Sequence, residues 1–264
     1  MSTPRPVKVN RLRSSTPNPV PSRSGQSRRA GARPWLERAV RVGAKLMTLL
    51  FLISFGWVVL LKYLPVSITP LMISRKMEAV ADDQNSKLYK DWTPYEAISK
   101  EAALAVIASE DQAFSSHWGF DFDEIQDAIK ENKRRKRPRG ASTISQQVAK
   151  NVFLWSGRSY LRKGLEVYFT FLIELIWGKE RILEVYLNVA ETGPLTFGVE
   201  AASRRYYGHS AQTLTRTEAA RMAAVLPNPR LFSIKKPSAY IQKRTRQIAR
   251  QMRYLGGRGY LKNL

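Results

Sequence analysis

Ala105 to Asn132 reads AVIASEDQAFSSHWGFDFDEIQDAIKEN. Its opening continues the apolar spacing of Ala102, Val106 and Ile107, which recur at the interval of a helix, and at Glu110 a carboxylate leaves the apolar run. The pattern predicts a helix through Leu104 to Glu110 that ends near His117, stopped by Gly119. On it Glu110, Phe114 and His117 fall at i, i+4 and i+7, one face. A carboxylate beside an aromatic ring and an imidazole, at the edge of apolar surroundings, is placed where its pKa rises toward neutrality, the condition for a general base or acid. Taken alone, the spacing also describes an ordinary carboxylate at a helix end.

Downstream the same periodicity returns in Leu165, Phe169, Leu172 and Ile176, and clean two-residue alternation is scarce, so the fold reads as mainly α. Breaks are expected at the basic loop Lys133 to Gly140, at Ser156-Gly157, at Glu191 to Gly198, and at Pro227-Asn228-Pro229.

Upstream, Leu46 to Leu61 reads LMTLLFLISFGWVVLL, sixteen residues without a charge between Lys45 and Lys62. It spans a bilayer core if both lysines snorkel outward. A core helix and a cleaved signal peptide are the alternatives, but the run is apolar on every face and no Ala-x-Ala site follows it. Residues 1–45 hold nine Arg and two Lys against Glu37 alone, a net +10 of the chain's +23. The organisation predicted is a basic, disordered cytoplasmic tail (1–45), a transmembrane anchor (46–66), a linker with a short helix (67–85) and a domain over 86–264 on the far side of the membrane.

The 264 residues include no cysteine and two histidines, which excludes disulfides, thiol nucleophiles and Cys-ligated metals and leaves little for a His site. Chemistry falls to carboxylates, hydroxyls, amides and cations. Arg139 to Asn151, RGASTISQQVAKN, supplies several of these: Ser142, Thr143, Gln146, Gln147 and Lys150, with Gln146 and Lys150 on one face of a helix begun by Ser142 or Thr143. Such groups suit a sugar and a phosphate. Arg158, Arg162 and Lys163 then precede Glu166, which reads either as a solvated ion pair or as an anion clamp beside a second carboxylate.

The runs EDQAFSSHWGFD, GASTISQQVAKN, RKGLE, KERILEVYLN and LPNPRLF, in this order, closely resemble the glycosyltransferase domain of peptidoglycan synthases over about Trp92 to Phe232. Ala141 and Ser145 stand where that family usually has Gly and Thr. The resemblance implies a lysozyme-like α fold on a single N-terminal transmembrane helix, in the bacterial inner membrane with its domain periplasmic. It implies polymerisation of lipid II into β-1,4-linked strands with inversion, the growing strand being the donor and undecaprenyl diphosphate the leaving group. Glu110 matches the general base and Glu166 the second catalytic carboxylate. Lys150 and Arg158 match cations near the pyrophosphate, and Ser142, Thr143, Gln146, Gln147, Arg162 and Lys163 are the other substrate-binding candidates. Partners implied are lipid II, the growing strand, membrane lipid and other cell wall synthesis or division proteins. No cofactor is required and the metal ligands are unknown; a divalent cation, Mg or Mn, is compatible with a pyrophosphate.

Lys179, Glu184, Tyr186 and Asn188 read equally as scaffold or site. His117 reads as a packed, hydrogen-bonded histidine, and Leu165 to Trp177 as a core helix rather than a membrane-facing one. A glycan-cleaving lysozyme or lytic transglycosylase would share the fold and a lone Glu without needing the cations. Lys133 to Arg139 and the net charge suggest a nucleic-acid binder, but a domain outside the membrane meets no nucleic acid. Ser233 to Lys236 fits Ser-x-x-Lys, yet no Ser-x-Asn or Lys-Thr-Gly accompanies it as a transpeptidase requires.

Overall fold

The computed structural model describes residues 2–3, 34–135, 140–157 and 159–264; most of the basic tail, Lys136 to Arg139 and the candidate Arg158 lie outside them. The chain divides into two units, Met1–Leu49 and Leu50–Leu264. Apart from residues 2–3, the described part of the first is the opening half of α1 (Pro34–Tyr63), whose side chains from Trp35 to Leu49 are exposed. Proline suits a first helical position, so the helix starts at Pro34 and takes in Arg38, Arg41 and Lys45, twelve residues before the expected anchor. At about 1.5 Å per residue it is about 45 Å long. Trp35–Tyr63 is the one stretch among the described residues long and apolar enough to cross a membrane.

The second unit is mainly α, as the periodicity predicts. It contains the rest of α1, then α2 (Pro70–Ala81), α3 (Lys100–Glu110), α4 (Phe122–Asn132), α5 (Ile144–Phe153), α6 (Tyr160–Ile176), α7 (Lys179–Val189), α8 (Val199–Tyr206), α9 (Arg216–Val225) and α10 (Ala239–Tyr254). Three short strands, β1 (Tyr89–Lys90), β2 (Glu191–Gly193) and β3 (Thr196–Phe197), form a sheet in the order β1-β3-β2. The Glu191 to Gly198 segment, expected as a loop, is therefore a hairpin, and β1 pairs parallel to its second strand.

Small residues bring the central helices together. Ala102, Ala103, Ala105 and Ala108 of α3 and Ala219, Ala220, Ala223 and Ala224 of α9 are all buried, so α3 runs through the core with every residue from Glu101 to Ala108 covered. The stretch expected as a linker with a short helix holds that helix as α2, capped by Thr69, with Met72 wholly buried in the same core.

The end of α1 is also built in. Val58 and Leu61 are buried, Ser54 Oγ lies 2.7 Å from the Tyr168 hydroxyl, and Trp177 Nε1 donates to Val58 O at 2.8 Å. Arg181 donates to the carbonyls of Leu61 and Leu64. The helix α6 has two characters, which corrects its reading as a core helix. Glu166, Thr170, Ile173 and Glu174 face inward, whereas Leu161, Val167, Phe171 and Leu175 form an exposed apolar stripe.

Candidate active site

Glu110 is the last residue of α3. Asp111 caps the helix with an extended φ of −163°, so Phe114 and His117 belong to the turn that follows and not to the helical face expected for them. The cause is Asp111, which is buried and spends one oxygen on the turn and the other on α5. Its Oδ1 is 2.9 Å from His117 Nε2, and its Oδ2 accepts the Ile144 N–H, at the start of α5, at 3.0 Å. His117 is a brace, as its reading predicts. Lys179 extends the brace, donating to His117 O and to Glu174 Oε1, which also accepts from Ser145 Oγ. Gly119 closes the turn at φ +78°, and a Cβ there would lie 2.7 Å from Thr170 Cγ2.

The Glu110 carboxylate is half-buried and held from α5. Gln147 Nε2 donates to its Oε2 at 2.9 Å and Ser109 Oγ to its Oε1 at 3.4 Å. Behind it, the Tyr186 hydroxyl of α7 donates to Gln147 Oε1 at 3.2 Å. Tyr186 is fully enclosed, and burial, reinforced by the negative charge of Glu110 and Asp111, holds its phenol well above the usual pKa. It therefore remains a donor, fixes the Gln147 amide, and leaves the amide N–H₂ for Glu110. Burial raises the Glu110 pKa above the ordinary glutamate value; the Gln147 bond, the charge of Arg244 and the Ser109 bond pull it back without cancelling that effect. A pocket of about 260 Å³ opens beside it, lined by Gln112, Asp121, Glu124, Ser142 and Thr143 among others.

Lys150 lies one turn beyond Gln147 on α5, at the i, i+3 spacing that puts both on one side. It is exposed and has no hydrogen bond or ion pair among the described residues. Crowding by protein lowers its ammonium pKa, an effect to which Arg162 and Lys163 add and which Glu166 and Glu110 oppose. Lys150 is thus within electrostatic reach of both carboxylates. Glu166 is not a solvated pair: its carboxylate is buried, bound by Arg162 Nη1 at 3.2 Å and by Lys163 Nζ. The Arg162 Nε is buried without a partner.

The structure therefore joins Glu110 to Gln147, gathers Glu166, Arg162 and Lys163, and sets Lys150 between the two groups. Ser142 and Thr143 line the Glu110 pocket, but Thr143 is buried as the N-cap of α5 and donates to Gly119 O at 2.7 Å. Gln146, expected at the site, completes the capping box with Thr143 and is buried. Of the undecided group, Lys179 is scaffold, Glu184 pairs with Arg181, and Asn188 holds both backbone groups of Thr93. Only Tyr186 reaches the site. Arg244 was not anticipated. It sits on α10 near the buried positions Ile241, Thr245 and Ile248, and donates to Ser109 O at 3.3 Å. A cation on that otherwise apolar stripe is the signal that marks it in the sequence.

A desolvated glutamate, a lysine without an ion pair among the described residues and two further cations together suit transfer of a group away from an anionic leaving group. The chain belongs to the transglycosylase family, whose model matches residues 76–253. Among its relatives are proteins named biosynthetic peptidoglycan transglycosylase. That of Pseudomonas entomophila is 54% identical over 211 residues, covering 80% of this chain and 89% of the relative. One from Pseudomonas fluorescens is 53% identical over 207 residues, 78% of this chain and 86% of the relative. One from Pseudomonas putida is 51% identical over 223 residues, 83% and 94%.

Proposed function

We propose that this transglycosylase polymerises lipid II into β-1,4-linked glycan strands with inversion, for bacterial cell wall synthesis. The observation that carries the reading is that α5 presents Gln147, bound to a Glu110 whose burial favours the proton, and, one turn on, a Lys150 without an ion pair among the described residues. The incoming sugar's 4-hydroxyl oxygen attacks the anomeric carbon of the growing strand. Glu110 takes the hydroxyl proton, and the bond from that carbon to the pyrophosphate breaks on the opposite face. The leaving group is already a weak base, so it requires charge stabilisation more than a proton. Lys150, Arg162, Lys163 and Arg158 supply that charge, and Glu166 keeps Arg162 and Lys163 oriented. Among the described residues no three His, Cys, Asp or Glu side chains converge as a metal site.

The polyprenyl chain suits an apolar groove of about 1030 Å³ whose walls include Leu50, Ile53, Trp57, Met77 and Phe169. The exposed stripe of α6 suits the same bilayer, and the basic N-terminal side of α1 orients it with Leu264 outside the cytoplasm. The test is the full chain in detergent with labelled lipid II. Polymer that lysozyme then cuts supports the reading; degradation of preformed glycan without polymer would replace it with the lytic one.

A further inference from the structure

The residues after α10 lie beyond the stretch that the family's model matches, yet they touch the turn that follows Glu110. Gly256, at φ +87°, adopts the left-handed conformation that favours glycine, and Gly257–Asn263 forms a 3₁₀ turn running back along α3. Arg258 Nε donates to Oε1 of the buried Glu101 at 2.8 Å, while Arg216 holds the other oxygen at 2.9 Å. Two residues on, the Tyr260 hydroxyl donates to Gln112 O at 3.0 Å and accepts from Ser115 N at 3.1 Å and Ser115 Oγ at 3.0 Å. One phenol thus meets three groups of the six-residue turn between Glu110 and His117. That turn supplies Gln112 and Ala113 to the pocket beside Glu110.

The rest of the turn is held from its ends. Asp111 and His117 pair with each other, and Phe114 N and Ser116 N donate to carbonyls within the turn. Its middle is tied to the body of the domain through the Phe114 side chain, which is wholly buried, and through Tyr260.

We propose that Tyr260 is a positioning residue for glycosyl transfer: it fixes the Gln112 to Ser115 turn and, through it, the aim of the Glu110 carboxylate and the shape of the acceptor side of the pocket. The proposal rests on the glycosyl-transfer reading above. Misplacing a reacting group by about 1 Å costs up to about a hundredfold in rate, so a hydroxyl that touches no substrate governs turnover through the turn it holds.

Tyr260→Phe in the full chain removes the hydroxyl and keeps the ring. Turnover of lipid II is expected to fall about tenfold with KM within about twofold. The acid limb of the pH–rate profile is expected to move to lower pH, because a loosened turn admits water to Glu110 and burial is what raises its pKa. The charged groups facing Glu110, namely Asp111, Arg244 and Lys150, are unchanged by this substitution. Ser115→Ala removes one of the three contacts and is expected to reproduce part of the loss, and it carries the test if the Phe variant does not fold. Tyr254→Phe, an exposed phenol two residues before Gly256, leaves the rate and the profile unchanged. Wild-type turnover with an unmoved acid limb in Tyr260→Phe would overturn the proposal, as would an equal loss at every pH. A wild-type protein that makes no polymer would overturn the underlying reading itself, before any variant is compared.

Discussion

The chain Tyr186, Gln147, Glu110 makes a prediction whose size depends on pH. Gln147→Leu removes the amide that donates to Glu110 Oε2 at 2.9 Å and keeps a similar volume. A hydrogen bond to a charged group contributes about 1.5–3 kcal/mol, and about 1.4 kcal/mol is a factor of ten. The bond favours the ionised carboxylate, so its loss raises further a pKa that burial has already raised. Below that pKa the fraction of Glu110 able to act as base falls by about tenfold or more, whereas well above it the carboxylate is ionised in either protein. Lipid II polymerisation is therefore expected to be about tenfold slower on the acid side and to converge on the wild-type rate at alkaline pH, the acid limb moving to higher pH. Gln147→Leu also strands the buried Tyr186 hydroxyl, at a stability cost of about 1–3 kcal/mol that Tyr186→Phe in the same protein should relieve without restoring the acid-side rate. A uniform slowing at all pH values, or an acid limb that stays in place, would refute the electrostatic argument and leave Gln147 as packing.

Glu110→Gln keeps the shape and removes the base; single-turnover rates should fall by ~10²-fold or more with lipid II binding nearly unchanged in a direct binding assay. Glu166→Gln removes an attraction that keeps Lys150 protonated, so the alkaline limb of the profile should shift to lower pH; a limb at the wild-type position would detach Lys150 from it. Gly119→Ala forces a Cβ against Thr170 at a positive φ and should cost about 1–3 kcal/mol, a drop in melting temperature of several degrees by calorimetry. A reporter active only outside the cytoplasm should work when fused after Leu264 and fail before Pro34, as the basic residues ahead of Leu46 require.

The helical character, the α5 cap at Thr143 and the base candidate Glu110 were legible because each leaves a local trace: a period, a hydroxyl before a helix, a carboxylate ending an apolar run. What was not legible comes from contacts between distant segments. Nothing near Gln146 says that its amide turns back to cap α5 while its neighbour Gln147 turns toward Glu110; the packing of α7 on α5 and the carboxylate that ends α3 decide that. The turn after Glu110 looked helical because its residues tolerate a helix. Asp111 instead found better partners in His117 and in the N–H of Ile144, more than thirty residues away. The short helix within 67–85 was legible but its packing was not, because α2 is mixed in character, yet Met72 and Ala79 are buried against the domain.

The grip of Trp177 and Arg181 on the carbonyls of Val58, Leu61 and Leu64 changes what the anchor is for. A head on a flexible leash samples a range of heights above the bilayer, and only the average concentration of substrate matters to it. The turns from Leu50 to Tyr63 are instead part of the body that carries the site. On the proposed reading the sugars are lipid-borne and of fixed reach, so the depth of those turns in the bilayer acts as a gauge for the catalytic site.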